Sequence, residues 1–152
     1  MAVQLGLKGR LYRNTGTFAT PVWNEIGNVR DLTLTLEKGE ADVTTRQNDG
    51  WRAMIGTLKD GNIEFEAVWD QDDPDFSAIF NAWLLDTAIE FLAMDGDRTA
   101  TGTTGLRALM SIISVSRSEP LEEAMKAAVV IKPTIFPPPP AGGPPEWVVG
   151  PQ

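Results

Sequence analysis

The 152-residue chain contains neither cysteine nor histidine and has one tyrosine. No apolar run approaches the ~20 residues of a membrane-spanning helix. The missing cysteines remove disulfide scaffolding, catalytic thiolates and Cys/His zinc sites. The missing histidines remove Ser-His-Asp triads and the commonest general base near neutral pH. Basic residues are scarce too: 13 Lys and Arg stand against 21 Asp and Glu, for a net charge of -8. Tight nucleic-acid binding by counterion release needs clustered cations, so this surface argues against it. The first residues, MAVQLGLKGRLYRN, lack the basic-then-apolar layout of a signal peptide. The expectation is one soluble domain, with no membrane partner, made and assembled in the cytoplasm.

What is present reads mostly as strands. In VRDLTLTLEKG, Leu32, Leu34 and Leu36 alternate with Thr33, Thr35 and Glu37, the period of a half-buried antiparallel strand. NIEFEAVWD puts Ile63, Phe65, Ala67 and Trp69 on one face and Glu64, Glu66, Val68 and Asp70 on the other. The preceding Asp60-Gly61 pair predicts a two-residue turn folding 51–58 back on 63–70. TAIEFLAMD, LRALMSIISVSR and EAMKAAVVIKP supply three more strands, and LGLKGRLYR a seventh candidate. One segment differs. Across DDPDFSAIFNAWLLD, Phe76, Ile79, Phe80, Trp83 and Leu84 recur at helical spacing, Asp73 can cap and Pro74 suits the first helical position. This predicts one helix over 74–85, its stripe packed on a sheet. After Lys132 the chain holds eight of its eleven prolines, including Pro133, so 135–152 is expected as an extended or disordered arm outside the 1–134 domain. Trp147, Val148 and Val149 form an apolar tip that either hangs free or docks on a neighbour.

Tests for chemistry return little. Asp70, Asp72, Asp73 and Asp75 miss the calcium-loop register, since Pro74 replaces a ligand and Asn81 stands where a bidentate glutamate belongs. TGTTGLR has glycines but no Walker lysine. Glu64 and Glu66, ~7 Å apart on a strand, match a spacing an inverting glycosidase could use, yet such pairs are common on solvated strand faces. Of the five tryptophans, Trp69 and Trp83 fit the core, leaving Trp23 and Trp51 as candidates for a sugar platform. What remains is an acidic sheet face carrying Glu37, Glu64, Glu66, Asp70 and Glu90. No cofactor or metal site emerges.

The stretch LYRNTGTFATPVWNEIGNVRDLTLTLEKGEADVTTRQNDGWRAMIGTLKDGNIEFEAVWD, followed by FNAWLLDTAIEFLAMDG, SRSEPLEEA and IKPT, resembles the major tail tube protein of long-tailed bacteriophages over about residues 8–134. The resemblance implies a mainly β, antiparallel sandwich- or barrel-like subunit with one flanking α-helix, whose inner sheets join six copies into a hexameric β-barrel ring. It implies stacked rings in the virion tail, assembled in the bacterial host cytoplasm. The implied partners are other copies of the chain, the tape measure protein, and tail terminator and tail tip proteins. Double-stranded DNA would pass through without tight binding. Ring closure hides open sheet edges, and an acidic lumen wall would not hold phosphates.

By the same resemblance, Thr44, Thr45, Arg46, Gln47, Asn48, Asp49, Gly50, Trp51 and Arg52 form a loop that contacts the adjacent ring. Arg46 and Arg52 would meet acidic groups there. Glu37, Glu64, Glu66, Asp70 and Glu90 are the lumen-facing candidates. The alternative from a different class is a monomeric β-sandwich module binding carbohydrate or a cell surface through exposed tryptophans. A third reading is a hydrolase using Glu64 and Glu66.

Overall fold

Three strands of 14 or 15 residues dominate the computed structural model, which describes residue 3 and residues 5–152. β3 (Val29–Asp42) and β4 (Met54–Val68) pair antiparallel from Val29↔Ala67 to Asp42↔Met54. The other strands are β1 (Arg10–Asn14), β2 (Trp23–Glu25), β5 (Ala88–Met94), β6 (Thr104–Ser118), β7 (Lys126–Pro133) and β8 (Glu146–Val149). All pairings are antiparallel in the order β2-β1-β5-β6-β7-β4-β3, with β8 added beside β6. The sheet is not closed within one chain: among the described residues β2 and β3 end the strand order, and β8 pairs on its β6 side alone. The fold is mainly β with one flanking helix, as expected.

Helix α1 spans Pro74–Leu85. The Asp73 carboxylate accepts the Asp75 amide at 3.0 Å, Pro74 opens the first turn, and Asp86 in the left-handed region ends the helix. Phe76, Ile79 and Ala82 are buried, and Ile79 and Ala82 join the main core with Ile63, Phe65, Phe91, Met110 and Ile131. The predicted stripe is narrower than expected. Trp83 and Leu84 remain 42% and 54% exposed, because Ala82 takes the sheet-facing position of the last turn. At the other end, Arg13 of β1 clamps Asp75 at 2.8 Å, tying the helix start to the sheet.

Two further expectations fail on long-range pairing. Asp60-Gly61 makes no turn; β4 runs straight through it, with Asp60 opposite Glu37 and Gly61 opposite Leu36. β3 is long enough to partner both halves of β4, and β7 takes the far side of residues 63–68, so a local hairpin would forfeit two ladders. The segment 135–152 likewise returns to the sheet. β7 ends at Pro133, leaving Thr104–Arg107 of β6 with an open side, and Glu146–Val149 fills it. None of those four residues is a proline; Pro145 and Pro151 flank the strand, where a missing N–H costs no ladder bond. Val148 is buried in a second cluster with Tyr12, Trp23, Leu92 and Met94 on the opposite face of the sheet from α1. In LGLKGRLYR the strand starts only at Arg10, after a 3₁₀ turn over Gly6–Lys8.

Candidate assembly surfaces

The tip of the β3–β4 hairpin is built from its own polar side chains. The Val43 amide reaches the Ala53 carbonyl at 2.9 Å, and the Ala53 amide donates to Thr44 Oγ1 at 2.9 Å. Beyond that rung, the Thr45 amide donates to Asn48 Oδ1 at 2.7 Å while Thr45 Oγ1 accepts the Gln47 amide at 3.3 Å, capping a 3₁₀ turn over Arg46–Asn48. Asp49 (φ 49°) and Gly50 (φ 82°) then reverse the chain in the left-handed region, and the Trp51 amide closes on the Asn48 carbonyl at 3.0 Å. The Thr44 hydroxyl and amide hold the Asp42 carboxyl below the usual carboxylate range. Thr44–Arg52 is therefore a shaped projection, exposed throughout except for half-buried Asn48. Trp51 is 80% exposed. The expected strand start at residue 51 is corrected: Trp51 and Arg52 lie in the tip, and the strand begins only at Met54.

The acidic candidates do not form one surface. By register, Glu37 and Glu64 share the side of the sheet away from the main core with Glu66, Asp31 and Asp60, against Lys126 and Lys132. Glu64 is exposed; Glu66 is half-buried and lies 3.5 Å from Lys126. Lys126 also reaches Glu123 at 2.8 Å, which raises the lysine and lowers the Glu123 carboxyl. Asp70 sits beyond the end of β4 in a turn, accepting the Asp72 amide at 3.0 Å. Glu90 departs most from expectation. It is 8% exposed and ion-paired with Arg107, and it accepts Asn14 Nδ2 at 3.4 Å.

Arg107 explains why that part of the sheet is closed. Its guanidinium donates to the Phe18 carbonyl at 2.8 Å and lies 4.3 Å from the Phe18 ring and 5.4 Å from the Trp23 ring. Glu146 of β8 approaches it at 3.7 Å. The loop between β1 and β2 is shaped by Asn14, whose Oδ1 accepts the Gly16 and Val22 amides at 2.8 and 3.0 Å. One cation thus gathers β5, β6, β8 and the 15–22 loop over Glu90. Nothing local to IEFL marked Glu90 as paired: its partner is 17 residues away, on the next strand. Trp23 lies beneath the same roof at 8% exposure, which withdraws it from any sugar platform.

Among the described residues, no group of three or more Asp and Glu is placed to hold a metal ion, and no helix is long and apolar enough to cross a membrane.

No protein-family model matches the chain, and no curated protein matches it by sequence. Solved structures do. A subunit in the virion of a native gene transfer agent particle superposes with a TM-score of 0.73 at 14% identity, covering 97% of this chain and all of that one. The SPP1 tail tube gives 0.68 at 15% identity over 86% of this chain and 75% of that chain. A chain of the anti-feeding prophage baseplate gives 0.61 at 8% identity, covering 98% and 96%. By this likeness over most of its length, the chain has a phage tail tube fold.

Proposed function

We propose that the chain is a structural, non-enzymatic subunit of a phage-type tail tube, six copies closing into a ring and rings stacking into a hollow tube. The likeness to tube subunits over nearly the whole chain carries this reading, and one such tail, that of an empty gene transfer agent particle, has sixfold symmetry. The free β3 edge supports it. Fourteen residues of unpaired backbone on one side are an aggregation hazard in a monomer and a joint in a ring. The Thr44–Arg52 tip is the contact to the adjacent ring. The side of the sheet bearing Asp31, Glu37, Asp60, Glu64 and Glu66 is the lumen wall, where excess negative charge keeps passing DNA from binding. Glu90 is withdrawn from that wall by Arg107, and Asp70 borders it. The tape measure protein and the genome are the expected passengers, the terminator and tip proteins the end partners, and the virion tail the site.

Negative-stain images of the purified protein test the reading: rings or tubes are expected, and a species that stays monomeric at high concentration and beside its tail partners would overturn it. For the loop, Arg46→Glu is expected to stop stacking while leaving single rings. For the wall, Glu64→Lys with Glu66→Lys is expected to leave tubes intact but impair DNA ejection; normal infectivity would remove the lumen assignment.

A further inference from the structure

β6 changes neighbours partway along. As far as Ser111 it pairs with β5 on one side, and with β8 and then β7 on the other. The β5 ladder stops at Ala88↔Ser111, whereas the β7 ladder runs on to Ser118. Among the described residues, 112–118 are therefore paired on the β7 side alone. A bulge between Ile112 and Ser114 marks the change, and Ile113 in it is 51% exposed. The four consecutive strands β6, β7, β4 and β3 thus end in an open edge at each side, β3 at one and 112–118 at the other.

The two edges match face by face. By register, Ile112 and Val115 share the core side of the sheet with Ile131 and Val129, as Leu34 and Leu32 of β3 do with Ile63 and Phe65. Ser114, Ser116 and Ser118 lie on the other side, the side on which β3 carries Asp31, Thr33, Thr35 and Glu37. Edge to edge, the apolar side chains continue one core, and serine meets threonine or carboxylate across the ladder. The rival joints fit less well. β3 against a second β3 brings two acid-bearing faces together, and β2 offers three residues to a strand of 14.

Strand direction agrees. Each neighbouring pair from β6 to β3 is antiparallel, so β3 runs opposite to β6 within one copy. Rotation about a tube axis keeps every copy of β6 pointing the same way, so β3 of one copy meets the next copy's β6 antiparallel. We propose that β3 of each copy pairs with residues 112–118 of β6 in the adjacent copy of the same ring. The proposal rests on the ring reading and names the strand that the β3 edge joins. The contact is heterologous and leaves neither edge of the four strands open once the ring closes.

Cysteine cross-linking tests this without background, because the chain has no cysteine of its own. Each of Asp31, Thr33, Thr35 and Glu37 is changed to Cys together with each of Ser114, Ser116 and Ser118, so that the panel spans the possible staggers. Within one chain β4 and β7 separate the two strands by about 14 Å at ~4.8 Å per strand. A disulfide needs Cα atoms within about 7 Å, so every bridge formed joins two copies. Oxidation of assembled protein is expected to give, for the pairs of one antiparallel register, a non-reducing ladder that stops at six chains, with monomer alone from the matching single-Cys variants. Dimers from Thr33→Cys or Thr35→Cys alone would mean that two β3 edges pair with each other, and would overturn the assignment. So would cross-linking of Thr33→Cys to Asn24→Cys on β2. Rings seen by electron microscopy with no β3–β6 bridge anywhere in the panel would leave the ring reading standing and remove this joint. A wild-type chain that forms no rings removes both.

Discussion

β4 passes through two different environments within one strand. From Ile63 to Ala67 it lies between β3 and β7, with Ile63, Phe65 and Ala67 all under 5% exposed. From Met54 to Asp60 every residue is exposed, and β3 is its sole partner among the described residues. The near half is held by burial and two ladders; the far half by one ladder and the bonds of its tip. A two-stranded ribbon is at best marginal in water, yet this one exposes Leu36, Met54, Ile55 and Leu58. The lesson is that the far half, unlike the near half, leaves its apolar side chains without cover in the single chain, and it is the part that the proposed ring and tube would bury.

Changes that compare the two halves should separate in size. Ile63→Ala empties a fully buried site and is expected to destabilise the isolated subunit by about 4 kcal/mol, read as a drop in denaturant midpoint. Arg107→Ala leaves Glu90 buried without its partner and should cost about 3 kcal/mol; Glu90→Gln with Arg107→Met should recover part of that, because a neutral pair has no buried charge to strand. Asp73→Ala removes the helix cap and should cost about 1 kcal/mol. Ile55→Ala, eight residues before Ile63 on the same strand, should change the subunit's stability by under about 0.5 kcal/mol; a loss as large as that of Ile63→Ala would erase the contrast.

The smallest effect is local and pH-dependent. Asp42 is held below the ordinary carboxylate value by Thr44, so its contribution is present above about pH 4 and is lost as pH falls through the lowered value. Amide exchange at Thr44, whose N–H donates to that carboxylate, should accelerate below about pH 4 relative to Asp42→Asn, with the Ile63 amide unaffected.

Helix α1 was legible because its signals sit inside one dozen residues: a cap, a proline at the first position and a 3.6-residue period. The strands were legible wherever one face is buried, as in Ile63, Phe65 and Ala67, because burial writes a period of two into the side chains. Alternation is silent about what lies over the other face. It placed Glu90 and Glu64 on the same side of the sheet, and only the 15–22 loop, folding across through Asn14 and Arg107, separated a buried ion pair from an open carboxylate. The loop over residues 44–52 was named by resemblance, while its shape was not legible, since it depends on bonds among Thr44, Thr45, Asn48 and Ala53 and on left-handed Asp49 and Gly50.

By itself, then, the sequence determined the chain's acidity, the absence of thiol and imidazole chemistry, the position of its helix and the inward face of its main strands. These depend on residue type and on spacing within about ten positions. Tertiary structure decided that Asp60-Gly61 would stay extended, that Trp23 and Glu90 would be covered, and that the last strand would leave its proline-rich lead and close beside β6. Each of those outcomes depends on which backbone edge is left unpaired once the long strands have found one another. An open edge is a property of the assembled sheet, with no residue pattern of its own.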